Sequence, residues 1–200
     1  YETFVANEIL GASYIKANDY PNAVKAFEVS LNSGMMTGEA KTQRLKMLTQ
    51  VYYQSKNYPK TIDLANQYLT EVPNDTEIPI LVAQSYYLRN DFENAAVRLR
   101  AITKARGGAV KEETLNLLMS AEYQLKNDTG VIQTLEMLAD RYPKPQYMKD
   151  LVAMNEKTLR GGTTKTNLDV YLIKFTAGLL ASPADYTGMT ELALQDGLPG

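Results

Sequence analysis

The sequence contains no cysteine, no histidine and no tryptophan. Without cysteine, a disulfide framework and a thiolate zinc site are both excluded. Without histidine, the commonest general base and metal ligand is missing, and neither a Ser-His-Asp nor a Cys-His set can form. A cysteine-free chain is compatible with an oxidising compartment. No apolar run reaches the roughly 18 residues of a membrane span. Neither sign of charge dominates: 21 Lys and Arg stand against 23 Asp and Glu, a net charge of -2. Nucleic acid and anionic membranes are therefore not expected as main ligands.

The 200 residues suit one domain or one repeat array, with 44% hydrophobic and 22% charged residues. Apolar residues recur at helical spacing nearly throughout. Short turn clusters interrupt them: NDYP, NSGMMTG, KNYP, VPND, RND, RGG, KNDTG, YPKP, RGGTTKTN, SPAD and DGLPG. Cutting there leaves about eleven helix-length segments. No alternating strand pattern of useful length occurs. The chain reads as all-α with short connections, so consecutive helices should pack antiparallel.

The turns recur with a fixed neighbourhood. Tyr20, Tyr58 and Phe92 mark the turns, and Tyr14, Tyr52 and Tyr86 stand six residues before them. A fourth tyrosine, Tyr123, stands six before Thr129. Three residues before these tyrosines come Gly11, Thr49, Ala83 and Ser120, and one further back Leu10, Leu48, Val82 and Met119. After the turns come Ala23, Thr61, Ala95 and Ile132, then Phe27, Ala65, Leu99 and Glu136. Glu136 breaks the apolar pattern, which points to a second helix of the fourth unit shifted onto Leu135 and Leu138.

With LGASY and AVKAF in the first unit, this pattern resembles the tetratricopeptide repeat. Asn7, Leu45, Pro79 and Asn116 replace its usual tryptophan. The resemblance implies an α-α superhelix, a solenoid of antiparallel helix pairs with about five and a half repeats and about eleven helices. The expected units are 4–37, 42–75, 76–109, 113–144, 145–181 and an incomplete 182–200. On this register GLPG fills the slot of DYPN, so the natural chain is expected to continue with another helix. The degenerate repeats are similar to those of Gram-negative bacterial members, many of them exported. The expected location is periplasmic or otherwise exported, with the cytoplasm as the alternative.

Candidate chemistry is sparse. GGTTKT lacks the glycine before Lys165 and the preceding strand that a phosphate-binding loop needs, so it reads as an inter-helix turn. The Asn-Asp-Thr triplets at Asn74 and Asn127 read as turn residues. Arg98, Arg100, Lys104 and Arg106 spread over more than one helix face and read as solvated surface. Glu112 and Glu113 read as helix-start charges, not an acid/base pair. No catalytic set, cofactor site or metal site is expected. An enzyme built on Asp, Glu or Lys remains the least favoured reading.

The resemblance instead implies a protein-binding groove lined by the first helix of each pair, at repeat positions 2, 5, 9, 12 and 13. The expected groove residues are Glu8, Ala12 and Lys16 in the first unit, and Lys46, Gln50, Tyr53 and Gln54 in the second. The third supplies Ile80, Gln84, Tyr87 and Leu88, and the fourth Leu117 and Gln124. Tyrosines and amides suit an extended peptide or a partner helix. With Gln50 and Gln84 at the asparagine-type positions and no cation beyond Lys46 in the second to fourth units, a clamp for a terminal carboxylate is not expected. The function expected is a non-catalytic protein-interaction scaffold. The alternative is a structural adaptor array within a larger cell-envelope or secretion assembly.

Overall fold

In the computed structural model, residues 1–158, 164–176, 178–180, 182–195 and 197 are described, without the side chains of 156, 164–168 and 176. The described elements are α-helices and one short 3-10 turn at Gly107–Ala109. The helices are α1 Glu2–Lys16, α2 Tyr20–Asn32, α3 Gly38–Gln54, α4 Tyr58–Glu71, α5 Ile78–Leu88, α6 Phe92–Arg106, α7 Glu112–Gln124, α8 Asp128–Arg141, α9 Pro145–Thr158, α10 Thr164–Thr176 and α11 Pro183–Gln195. Their contacts divide the chain into two compact units, Tyr1–Ala105 and Arg106–Gly200.

Four hinges share one backbone design. Asn18, Lys56, Asn90 and Lys126 all adopt left-handed backbone, with φ of 56°, 61°, 60° and 55°. The next residue donates its N–H back across the turn: Asp19 to the Tyr14 carbonyl at 2.9 Å, Asn57 to Tyr52 at 2.9 Å, Asp91 to Tyr86 at 3.0 Å and Asn127 to Glu122 at 3.0 Å. This is the Schellman closure, which satisfies carbonyls that a helix end would otherwise leave unpaired. The same Asp or Asn then caps the following helix. Its side-chain oxygen accepts from Asn22 N at 3.3 Å, Lys60 N at 3.4 Å, Asn94 N at 3.2 Å and Gly130 N at 3.2 Å. One residue therefore closes one helix and opens the next, and the chain reverses in very few residues. Pro21 and Pro59 follow at the first turn of α2 and α4, where a missing N–H costs nothing.

The first unit packs α1 on α2, α2 on α3, α3 on α4 and α4 on α5. Phe27 is buried where Gly11 lies on the facing helix. A Cβ on Gly11 would overlap Phe27 Cε1 and stand 2.6 Å from Cδ1. Ala23, Val24, Leu48, Val51 and Tyr52 complete that core, and Leu45, Ile62, Ala65, Tyr68, Ile78 and Val82 form the next. The second unit packs α7 on α8, α8 on α9, α9 on α10 and α10 on α11. Leu115, Val131, Leu135, Leu138 and Leu151 centre its core.

The fourth hinge corrects the expected register. Glu122, not Tyr123, occupies the place of Tyr14, Tyr52 and Tyr86. Glu122 is 1% exposed, while Tyr123 is 65% exposed. Glu122 accepts a hydrogen bond from Asn127 Nδ2 at 2.7 Å. Beside it is Gly130, where a Cβ would meet the Glu122 carboxylate. The glycine makes room for the acid. The following helix aligns accordingly on Val131, Leu135 and Leu138, and Glu136 is exposed.

Helix α10 also starts and stops earlier than the turn signals suggested. It begins at Thr164, because Thr-Lys-Thr-Asn lacks a strong breaker. It ends before Gly178, which takes φ +65° while Leu179 N donates to Lys174 O at 2.8 Å. The GGTTKT turn at 161–163 and the final residues of GLPG at 198–200 lie outside the described residues.

Candidate functional site

The hinges fix a common count for the first helix of each pair. Setting Tyr14, Tyr52, Tyr86 and Glu122 level places Glu8, Lys46, Ile80 and Asn116 at position 5. Position 9 holds Ala12, Gln50, Gln84 and Ser120. Position 12 holds Ile15, Tyr53, Tyr87 and Tyr123, and position 13 holds Lys16, Gln54, Leu88 and Gln124. The expected Leu117 therefore gives way to Asn116 at position 5. Leu117 is half-buried one residue further on. Gln124 moves level with Gln54. Thr114 and Ala121, on the same helix, are buried.

Position 5 forms ties between neighbouring helix pairs. Glu8 accepts from Ser30 Oγ on α2 and from the Arg44 guanidinium on α3. Arg44 also lies 4.2 Å from the centre of the Phe27 ring. Burial pushes the Arg44 guanidinium below its ordinary value, and Glu8 opposes that shift. Lys46 Nζ lies 2.8 Å from Asp75 and 3.4 Å from Glu77, in the turn before α5. In the second unit Asn116 Nδ2 donates to the Tyr147 hydroxyl at 3.1 Å. Tyr147 donates in turn to Glu112, which also holds Lys144 at 2.5 Å. Arg44, Asp75, Ser30 and Tyr147 carry these ties, and the sequence reading missed them as partners. For Arg44 and Asp75 the signal was a charge of opposite sign 36 and 29 residues further on, and the neutral Ser30 and Tyr147 gave none.

Asp75 concentrates four hydrogen bonds. Besides Lys46 it accepts from the Tyr68 hydroxyl at 2.8 Å, from Glu77 N at 2.7 Å and from Ile78 N at 2.9 Å. Burial alone would raise its pKa, but these donors outweigh burial and hold the carboxyl well below its ordinary range. The hydrogen bond to Asp75 correspondingly holds the Lys46 ammonium above its own.

The remaining positions of the first unit present a different surface. Ala12, Lys16, Gln50, Gln54 and Leu88 are exposed, and Ile80, Gln84, Tyr53 and Tyr87 are half-buried. The Tyr53 ring meets Tyr58 with centroids 5.9 Å apart at 59°, and Tyr87 meets Phe92 at 5.2 Å and 69°. The first residue of the following helix thus braces each tyrosine, tilted at Tyr53 and edge-on at Tyr87. Asp128 stands in that place beside Tyr123, and it pairs with Lys157 at 2.9 Å. Tyr123 has no ring partner among the described residues and is the exposed tyrosine of the set. Gln50, Gln54 and Gln84 make no side-chain hydrogen bond among the described residues. Also among the described residues, no group of three or more acidic side chains could hold a metal ion, and no helix is long and apolar enough to cross a membrane.

Solved structures share this architecture. A tetratricopeptide repeat protein from Parabacteroides merdae superposes with a TM-score of 0.63 at 11% identity, covering 98% of this chain and 75% of that one. The chain has the tetratricopeptide repeat fold. MamA from Desulfovibrio magneticus gives a TM-score of 0.60 at 13% identity, with 98% and 97% coverage. MamA from strain AMB-1 gives 0.60 at 17% identity, with 96% of each chain covered. No protein-family model and no curated protein matches the chain. In the first unit the Glu8–Arg44 pair links α1 to α3, and α3 contacts α5.

Proposed function

We propose that the protein is a non-catalytic interaction scaffold that binds a peptide segment or partner helix on the α1–α3–α5 face. The observation that carries this reading is the repeated pairing of a braced tyrosine with unpaired glutamine amides: Tyr53 with Gln50 and Gln54, then Tyr87 with Gln84. Tyrosine supplies contact area at low entropic cost, and an amide offers both donors and an acceptor. The test compares proteins captured by the wild-type chain with those captured by Gln50→Ala/Gln54→Ala and by Tyr53→Ser/Tyr87→Ser. Loss of the same partners in both variants, with the helical circular-dichroism signal kept, is the expected result. Unchanged capture in both overturns the reading.

A second reading, a structural spacer within a larger envelope or secretion assembly, draws on the ties at position 5. Glu8–Arg44 and Lys46–Asp75 join successive pairs and stiffen the array without leaving the charges to a ligand. That reading expects capture to be insensitive to the glutamine and tyrosine changes.

A further inference from the structure

We propose that the α1–α3–α5 face takes an internal, uncharged stretch of an extended polypeptide and not a charged chain end. This rests on the reading of that face as a protein-binding surface, and it specifies the partner.

The charges at position 5 are already neutralised. Glu8 is held by Arg44 and Ser30. Lys46 sits 2.8 Å from Asp75 and 3.4 Å from Glu77. A ligand carboxylate reaching Lys46 would compete with two resident carboxylates, and displacing Asp75 would also undo the cap on α5. A ligand ammonium reaching Glu8 would compete with a guanidinium. Lys16, at position 13 like Gln54, is the one exposed cation among the face residues named, and the salt titration below reads whether it takes part.

What is left unspent is dipolar. Gln50, Gln54 and Gln84 each carry two N–H donors and one carbonyl acceptor without a partner among the described residues. A mid-chain peptide unit also carries one donor and one acceptor, so an amide can satisfy both of its groups. A terminal carboxylate only accepts and a terminal ammonium only donates. A glutamine facing either terminal group would be left half desolvated and unpaired, which is costly. Tyr53 and Tyr87 are braced before any ligand arrives, so little ordering remains for binding to supply. Recognition of this kind forms no new ion pair and should respond weakly to salt.

The experiment pans the full chain against two displayed libraries of short random peptides. One library is fused at both ends, so the peptide is internal; the other ends in a free carboxylate. Enriched peptides are then measured by fluorescence anisotropy between about 0.01 M and about 1 M NaCl, where the screening length falls from ~30 Å to ~3 Å. The expected result is enrichment from the internal library. Its affinity should change less than about threefold over that salt range, and fall at least about tenfold in Gln50→Ala/Gln54→Ala. Both substituted residues are exposed, so an unchanged unfolding midpoint separates lost binding from lost folding. Enrichment from the free-carboxylate library alone, loss of binding at high salt, or full binding by the glutamine variant overturns the inference and leaves protein binding intact. Enrichment from neither library, or retention of a soluble polysaccharide instead of any peptide, overturns the protein-binding reading as well.

Discussion

Lys46 on α3 and Asp75 in the turn before α5 form an ion pair at 2.8 Å, and that same Asp75 accepts the backbone N–H of Ile78 that opens α5. One carboxylate therefore ties two helix pairs together and starts the second of them. Its lowered pKa has a definite sign in stability. The folded chain holds the proton less tightly than the unfolded chain does. The contribution is complete above the ordinary carboxylate pKa and is lost as pH falls through the folded value. The wild type should lose urea resistance below about pH 4, and Asp75→Asn should flatten that loss. Asp75→Ala should cost about 1–3 kcal/mol at neutral pH, from the cap and the unpaired Lys46 and Tyr68. Equal pH profiles for wild type and Asp75→Asn would assign the acid sensitivity elsewhere.

Gly11 should not tolerate a methyl group. Its missing Cβ is the space filled by the Phe27 ring. Alanine improves helix propensity by about 1 kcal/mol in an open helix, but overpacking a fixed core ring costs about 1–3 kcal/mol. Gly11→Ala should therefore lower the chemical midpoint. Phe27→Leu in the same chain should recover part of the loss relative to the sum of the two single changes. Strict additivity would mean that the two residues do not share that space.

Left-handed backbone is held by asparagine at Asn18 and Asn90 but by lysine at Lys56 and Lys126. Asparagine tolerates that region and lysine does so at a cost. Lys56→Gly and Lys126→Gly should each raise stability by about 0.5–1 kcal/mol. Asn18→Gly and Asn90→Gly should give less. Lys56→Val should destabilise, because a β-branched side chain fits that conformation poorly. Differential scanning calorimetry on the five variants would order them.

The two asparagine caps should differ. Asn57 caps α4 through Lys60 N at 3.4 Å. Asn127 caps α8 through Gly130 N at 3.2 Å and also donates to the buried Glu122 at 2.7 Å. Asn57→Ala should cost about 1 kcal/mol. Asn127→Ala should cost that and a further ~1–3 kcal/mol for the donor removed from a buried carboxylate. Comparable losses in urea titrations would mean that Glu122 does not depend on Asn127.

Much of this was readable in the chain itself. The helix pairs and the hinges follow from local chemistry, a turn former and a cap, and Gly11 and Phe27 stood out as a small and a large residue at matched places in the pattern. The fourth register did not follow, because two tyrosine-bearing positions adjoin. In Tyr52-Tyr53 and Tyr86-Tyr87 both are filled, so a lone Tyr123 could stand for either. Matching Lys126-Asn127 with Lys56-Asn57 resolves it, since the backbone conformation resides in those residues. The ties from Glu8 and Lys46 were harder to foresee. They join residues a full repeat apart, and repeat length varies, so spacing alone does not say which opposite charge comes within reach. Gln50, Gln54 and Gln84 were singled out for their amides, and packing leaves those amides without internal partners.

The shared Schellman-and-cap hinge acts as the ruler of the chain. Where the backbone is fixed so firmly, the side chain four residues upstream can change from a tyrosine to a buried acid while the turn keeps its form. The punctuation is therefore more constant than the text it separates. An inserted or deleted residue should be absorbed in the longer loops after α2, α4 and α6, and should be rejected between the αL residue and the cap. The hinges are accordingly the natural seams at which whole helices can be exchanged between one hairpin and another.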